Sequence, residues 1–302
     1  MLPDGRYYGS GEKNIFARIS GKGNPVVVIE PGWGNLSLEW WQIQEELSKF
    51  TTVITYDRAG YAESPPSSTP RTSTNIVMEL FNMLCNTTLP SPYIIIGHSL
   101  GGLYAQHFSK LFPRQTAGLI LVDSITTNLL DFDKLDAPNF QKYGSYKSRA
   151  ENIRKLLELN NEDYTNTITP MLNGLYSDFP RLIADQLFIY QIEKSFCKTI
   201  TDEYDGIEES IKMLNAIPIF PDIPVYVLCR DFNIMTKISE TIGIPFDEAR
   251  AVEELWVKHN KELLNLSPKS EFFFIKNSSH NIHLTRPDAI IEAVKTMINK
   301  IT

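Results

Sequence analysis

The 302-residue sequence has little of what several protein classes require. It holds three cysteines, Cys85, Cys197 and Cys229, which are widely spaced and form no C-x-x-C pair. This excludes a disulfide framework and a cysteine-rich zinc site, and it favours a reducing compartment. No apolar run approaches the roughly 20 residues needed to span a bilayer.

An excess of positive charge is also missing. The chain has 29 basic and 36 acidic side chains, a formal net charge of −7, which argues against nucleic acid as the main partner. Residues 1–14 contain no apolar h-region, so we expect no signal peptide. With 42% hydrophobic and 22% charged residues, the chain is predicted to be a soluble, cytoplasmic, globular protein.

Six short runs of sequence are apolar throughout, as in parallel strands that helices cover on both faces. They are residues 26–29, 53–56, 93–96, 119–122, 225–228 and 272–275. Helix-period segments separate the runs, and the clearest begins at Pro287 and repeats apolar positions on one face. This alternation predicts an α/β fold with an open, doubly wound, mostly parallel sheet.

The alternation stops between about residues 124 and 221, where strand-like runs are few and helical patterns and charges are frequent. A helical excursion of this length predicts a lid over the carboxyl edge of the sheet, or else an insertion that only extends the surface. The predicted division is a core of residues 1–124 and 221–302. A helical lid of residues 125–220 is inserted before the penultimate strand.

Residues 97–102 read G-H-S-L-G-G and directly follow a predicted strand. G-x-S-x-G at a strand-to-helix junction is typical of a nucleophile elbow, although short matches of this kind are also found in ordinary glycine-rich turns. The glycines permit a sharp turn that leaves the Ser99 hydroxyl exposed above the sheet. Ser99 is therefore the candidate nucleophile.

A serine hydroxyl needs a base, and five histidines could supply it. They are His98, His107, His259, His280 and His283. His280 follows the last predicted strand and a polar turn, in a loop at a strand's carboxyl end from which a base could reach the elbow. We prefer His280 to His283 as the base. His283 has apolar neighbours and is predicted to be packed or hydrogen-bonded, and His259 is predicted to be a solvated surface side chain.

Two further segments resemble the α/β-hydrolase family. Residues 57–64, D-R-A-G-Y-A-E-S, resemble the D-R-x-G-x-G-x-S loop of many members, with Ala62 in place of a glycine. Residues 280–287, H-N-I-H-L-T-R-P, resemble the stretch around the catalytic histidine. The resemblance covers nearly the whole chain, is weakest over the lid, and implies the chain order nucleophile, acid, histidine.

The resemblance also implies the remaining site residues. Two backbone N–H groups should hold the oxyanion, one from Leu100 and one from Trp33 in a loop where the family usually has His-Gly and this chain has Pro-Gly. The family places the acid after either of two strands, which offers Asp123 and Asp231. We prefer Asp123, whose structural alternative is helix capping or loop bracing, and keep Asp231 as the other candidate. Asp57 is assigned a structural role.

These roles predict acyl transfer, with Ser99 attacking a carbonyl carbon and His280 moving the proton. No cofactor and no metal are expected, because the sequence has no H-E-x-x-H pair and no phosphate loop. A serine nucleophile argues against the dehalogenase and epoxide-hydrolase branches. The leading hypothesis is a carboxylesterase for small to medium apolar acyl esters, with a small-molecule ester or amide as substrate.

Two alternatives remain open. An iminopeptidase-type peptidase or amidase would need a lid carboxylate such as Glu193 to hold a substrate ammonium, and a non-catalytic small-molecule receptor could use the same fold. Apolar and aromatic lid residues could line the pocket or form the core of the lid. They are Phe140, Tyr143, Tyr146, Leu175, Tyr176, Phe188 and Tyr190.

Overall fold

The computed structural model describes residues 4–9 and 14–301, and eight strands of this part of the chain form one sheet. Part of the segment 1–14, for which we expect no signal peptide, lies outside the described residues. In chain order the strands are β1 Gly5–Tyr8, β2 Ile15–Ser20, β3 Val27–Glu30, β4 Val53–Tyr56, β5 Tyr93–His98, β6 Thr116–Val122, β7 Val225–Cys229 and β8 Ser270–Phe274.

The strands are ordered β1-β2-β4-β3-β5-β6-β7-β8 across the sheet. From β4 to β8 every neighbouring pair is parallel, whereas β1 and β2 form an antiparallel edge. Each of the six apolar runs overlaps one of the parallel strands. The predicted α/β fold with a doubly wound, mostly parallel sheet is confirmed, and β1 and β2 are additions to it.

Helices cover both faces of the sheet, because alternate strand residues point to opposite sides. On one face, α1 Trp41–Leu47 and α13 Pro287–Ile301 pack on the strands. On the other face lie α2 Ser73–Asn86 and α3 Leu100–Leu111. Within the parallel strands β3 to β7, alternate residues belong to the two different buried clusters, as Val28 and Ile29 do in β3.

Helices fill the connection between β6 and β7. They are α4 Pro138–Tyr143, α5 Tyr146–Glu158, α6 Asn161–Leu175, α7 Arg181–Gln191, α8 Lys194–Asp205 and α9 Ile207–Asn215, preceded by a 3-10 helix at Leu129–Lys134. Residues of α6, α7 and α8 form a third buried cluster with Leu36, Leu38 and Tyr61. In contrast, α9 packs against α2 and α3. The division of the chain at residues 125 and 220 stays a prediction.

The connection between β7 and β8 is also helical. It contains α10 Phe232–Thr241, α11 Phe246–Glu262 and a 3-10 helix at Leu263–Leu266, and the short helix α12 Ile282–Thr285 follows β8. Further 3-10 helices lie at Ser37–Trp40 and Pro113–Gln115. Among all helices of the described residues, none combines the length and apolar character that crossing a membrane would require.

Candidate active site

The elbow lies between β5, which ends at His98, and α3, which begins at Leu100. Ser99 occupies the turn with a φ of 52°, a region that residues other than glycine seldom adopt. A Cβ atom at Gly97 would lie 2.7 Å from the Ala105 Cβ, and one at Gly102 would lie 2.0 Å from the Ser124 Oγ. The glycines are therefore required by close packing around the strained turn.

The structure brings Ser99, His280 and Asp123 into one hydrogen-bonded series. The His280 Nε2 lies 3.0 Å from the Ser99 Oγ, and its Nδ1 lies 2.6 Å from an Asp123 Oδ. Because an ionised carboxylate can only accept, Nδ1 carries the ring proton and Nε2 is left to accept from the serine hydroxyl. The series runs from a carboxylate through an imidazole to a hydroxyl, which is the arrangement that activates a serine.

Asp123 is fully buried and accepts hydrogen bonds from His280, Trp256 and Arg230. The Trp256 indole N–H donates to it at 2.8 Å, and Arg230 donates its backbone N–H at 3.2 Å and a guanidinium N–H at 3.1 Å. Burial alone would raise the pKa of Asp123, but Arg230 and the bonds from His280 and Trp256 outweigh it and hold the pKa at about 2. Asp123 is therefore a carboxylate at neutral pH.

Asp231, the alternative acid, has a different environment. It caps α10 by accepting the backbone N–H of Asn233 at 3.0 Å, and its other oxygen accepts the backbone N–H of Asn277 at 3.0 Å. Both oxygens thus hold the backbone around the loop that precedes His280. The structure places Asp123, and not Asp231, against the imidazole.

Arg230 is a site residue that the sequence analysis missed. Its guanidinium lies 3.4 Å from the His280 Nδ1 and forms a two-pronged ion pair with Glu253 at 2.9 and 2.6 Å. It also lies over the Trp256 ring at 4.1 Å. Glu253 and Trp256 come from α11, so no local pattern in the sequence could connect them to the residues after β7.

Two of the other histidines, His98 and His283, have structural roles. His98 lies 3.0 Å from the backbone oxygen of His280 and 3.1 Å from the Asn35 Oδ1, so it ties the base's loop to the loop after β3. Burial, followed by the nearby His280, lowers the pKa of His98 to about 3. His283 is buried and stacks on Trp40, as its predicted packing requires.

The prediction that His259 is a solvated surface side chain is wrong. His259 is only 3% exposed, its ring lies edge-on to Phe132, and its Nε2 lies 3.4 Å from an Asp131 oxygen. The reason is that the face of α11 that carries His259 packs against the 3-10 helix at Leu129–Lys134, which the sequence does not reveal.

The loop of residues 30–35 lies against the first turn of α3. A Cβ atom at Gly101 would lie 2.2 Å from the Pro31 backbone oxygen, so only glycine allows this approach. Arg58 donates to the backbone oxygens of Pro31 at 2.6 Å and Gly32 at 2.8 Å, and it braces this loop. The Leu100 N–H opens α3 and has no acceptor within the helix. The oxyanion roles of Leu100 and Trp33 stay predictions.

Asp57, which was assigned a structural role, accepts the Ser37 backbone N–H at 2.9 Å and pairs with Arg18. It therefore fixes the 3-10 helix after the loop of residues 30–35.

A cavity of about 450 Å³ opens beside His280. His280, Arg230, Trp256 and Tyr146 line it, and its apolar wall consists largely of Leu129, Leu130, Phe132, Phe140, Ile207, Ile242, Ile244 and Val252. The Tyr146 hydroxyl lies 3.4 Å from the Ser99 Oγ, so this side chain touches both the nucleophile and the cavity.

Few of the lid residues proposed from the sequence line this cavity. Phe140 and Tyr146 do, whereas Tyr143 and Leu175 are exposed. The other three side chains are in the third buried cluster or pack against it. They are Tyr176, Phe188 and Tyr190. Helical spacing alone does not separate these two environments.

Within the described ranges, no group of three or more histidine, cysteine, aspartate or glutamate side chains is arranged to hold a metal ion.

Comparison with known proteins agrees with this architecture. Residues 25–164 match the model of the family described as alpha/beta hydrolase fold. The chain has the α/β-hydrolase fold. A laboratory-evolved variant of potato epoxide hydrolase has the same fold, with a TM-score of 0.74, 14% identity and coverage of 98% of this chain and 99% of that chain.

Two curated relatives match the chain over very different extents. A pimeloyl-[acyl-carrier protein] methyl ester esterase of Wigglesworthia glossinidia brevipalpis is 27% identical over 95% of this chain and 99% of its own. A probable transporter of Hormonema carpetanum is 36% identical over 124 residues, which are 38% of this chain and only 18% of that protein.

Proposed function

We propose that this α/β hydrolase is a serine esterase that cleaves carboxylic esters through an acyl-enzyme intermediate. The proposal rests on one observation, the series in which His280 lies 3.0 Å from the Ser99 Oγ and 2.6 Å from Asp123. A buried carboxylate that stays ionised is the partner that an imidazole needs when it takes up a proton.

The reaction begins when the Ser99 Oγ attacks the carbonyl carbon and its proton passes to the His280 Nε2. The N–H groups of Leu100 and Trp33 stabilise the negative oxygen of the tetrahedral intermediate. The intermediate collapses, the ester C–O bond breaks, and the leaving alcohol takes the proton from His280. Water then repeats the attack, releases the acid and restores Ser99, while Asp123 stabilises the imidazolium in both halves.

The cavity supports small to medium apolar groups in the substrate. Its volume of about 450 Å³ lies within the range typical of small-molecule sites, and its wall is largely aliphatic and aromatic. The similarity to a methyl ester esterase supports ester cleavage as the reaction. Glu193, the carboxylate considered for a peptidase, is exposed at the start of α8 and does not line this cavity.

The test is hydrolysis of p-nitrophenyl acetate and butyrate by the wild type, Ser99→Ala and a matched control, Ser109→Ala. Ser109 lies on α3, is buried and donates only to the Ala105 backbone oxygen, so its loss should leave turnover unchanged. We expect Ser99→Ala to lower kcat at least about a thousandfold.

Each alternative predicts a different result. Undiminished turnover by Ser99→Ala would refute the esterase. Stabilisation of the wild type by esters or amides without turnover would support a receptor. Faster cleavage of aminoacyl p-nitroanilides than of esters would support a peptidase.

A further inference from the structure

We propose that Glu203, on lid helix α8, together with Arg58 is a positioning pair that orients the Trp33 N–H toward the oxyanion. The inference rests on the proposed function, because it concerns the oxyanion loop, which we define as residues 30–35. Glu203 lies 145 residues from Arg58, and no role is implied for it by any motif of the sequence.

Arg58 uses all of its donor groups at this point. Its Nε and one Nη donate to the two Glu203 carboxylate oxygens at 2.7 and 2.9 Å. The other contacts go to the oxyanion loop, namely the Glu30 side chain at 3.0 Å and the backbone oxygens of Pro31 at 2.6 Å and Gly32 at 2.8 Å. The guanidinium therefore joins the loop to α8.

The bond to the Gly32 oxygen sets the direction of a catalytic donor. The Gly32 carbonyl and the Trp33 N–H belong to the same peptide unit, which is planar and trans, so they point in opposite directions. When Arg58 holds the carbonyl on its side, the Trp33 N–H is turned away from Arg58. Rotation of this one peptide plane would remove the N–H from the oxyanion.

Helix α8 holds the loop through a second, independent contact. The Trp33 indole N–H donates to the Ile200 backbone oxygen at 2.8 Å, and the Thr199 hydroxyl donates to the Gly60 backbone oxygen at 3.0 Å. The Tyr61 hydroxyl also donates to Glu203 at 3.0 Å. These bonds make α8 a fixed support of the site, although it lies in the segment predicted to be the lid.

Burial makes the pair hard to replace. The side chains of Arg58 and Glu203 are 1% and 0% exposed, so water cannot substitute for a lost partner. Without the Glu203 carboxylate, the guanidinium is left with Glu30 as its only close anionic partner among the described residues. We expect it to move toward Glu30 and to carry the loop carbonyls with it.

The experiment compares the wild type, Glu203→Gln and Glu79→Gln with p-nitrophenyl butyrate. For Glu203→Gln we expect kcat to fall about 10- to 100-fold with KM within twofold, because a displaced oxyanion donor weakens the transition state and not the substrate complex. The affinity for a boronic acid, whose adduct on Ser99 needs the oxyanion donors, should fall in parallel. If Glu203 had only a structural role, Glu203→Gln would lower stability without lowering kcat and boronic-acid affinity together.

Glu79→Gln is the matched control. It breaks the partly buried ion pair of Arg71 with Glu79, whose contacts at 2.8 Å do not involve the oxyanion loop. We expect it to lower stability and to leave kcat and boronic-acid affinity unchanged. Trp33→Phe provides a milder variant if Glu203→Gln does not fold. It removes the bond to α8, keeps the backbone N–H, and should lower kcat about threefold or more.

Hydrogen–deuterium exchange of residues 30–35 gives a readout that does not need turnover. We expect faster exchange in Glu203→Gln, or in Trp33→Phe, and no change in Glu79→Gln. A wild type without esterase turnover would refute the proposed function, and the exchange data would still test the positioning pair. An active wild type, with unchanged kcat, inhibitor affinity and loop exchange in the variants, would overturn this inference.

Discussion

Replacing Asp123 with asparagine should remove most of the activity without removing the fold. Four donor groups converge on this carboxylate, from His280, Trp256 and twice from Arg230. An asparagine offers one acceptor atom and introduces an NH2 group among these donors. If the NH2 faces His280, the Nδ1 must accept, the ring proton moves to Nε2, and the base is blocked.

From this tautomer change we expect kcat to fall about 10⁴-fold, the size of the effect known when a triad aspartate becomes asparagine. The matched control is Asp231→Asn. Asparagine can still cap α10 but loses the acceptor for the Asn277 N–H, so kcat should fall far less than in Asp123→Asn, by about tenfold at most. The assay is steady-state hydrolysis of p-nitrophenyl butyrate, with circular dichroism to verify folding. Loss of activity in Asp231→Asn with activity retained in Asp123→Asn would refute this reasoning.

The comparison of the wild type with Asp123→Asn also tests how stability depends on pH. The pKa of Asp123 is lowered to about 2, below the value of about 3.9 expected in the unfolded chain. The carboxylate therefore contributes stability that is fully present above about pH 5 and is lost progressively as the pH falls toward about 1. The contribution is about 2–3 kcal/mol. The difference in unfolding free energy between the wild type and Asp123→Asn, measured in urea, should shrink by this amount across that window. A constant difference would contradict it.

Two further substitutions test the packing around the site. Gly101→Ala should lower the free energy of unfolding by about 1–3 kcal/mol, because its Cβ would lie 2.2 Å from the Pro31 oxygen; calorimetry showing wild-type stability would contradict this close approach. His283→Phe should keep the esterase activity and raise the unfolding free energy by about 1 kcal/mol, because neither of its buried ring nitrogens has a hydrogen-bond partner among the described residues. A large loss of activity in that variant would instead point to a role for His283 in the reaction.

The parallel strands were predictable from the sequence because both of their faces are buried. Val53–Tyr56 is apolar or β-branched at every position, and all four residues are buried. The edge strand β1 has exposed and half-buried residues, and β2 contains Arg18, whose burial depends on Asp57. Their pairing therefore depends on tertiary contacts that no local pattern shows.

The same distinction applies to the candidate site. The elbow is a local feature in which glycine, serine and strand adjoin, so the sequence indicates it directly. The choice of acid is not local, because two strand ends lie near the loop of His280, and only the contacts of Asp231 with Asn233 and Asn277 separate the candidates. Glu203 reaches the site from a distant helix, and its partner Arg58 is defined only by the fold.

The most direct test of the central claim is labelling with a fluorophosphonate probe, followed by mass spectrometry of the modified peptide. The account predicts one label per chain, on Ser99, and a reaction rate that falls steeply in His280→Ala because the serine is then no longer activated. Absence of labelling in the folded wild type, labelling at another serine, or an equal rate in His280→Ala would contradict it.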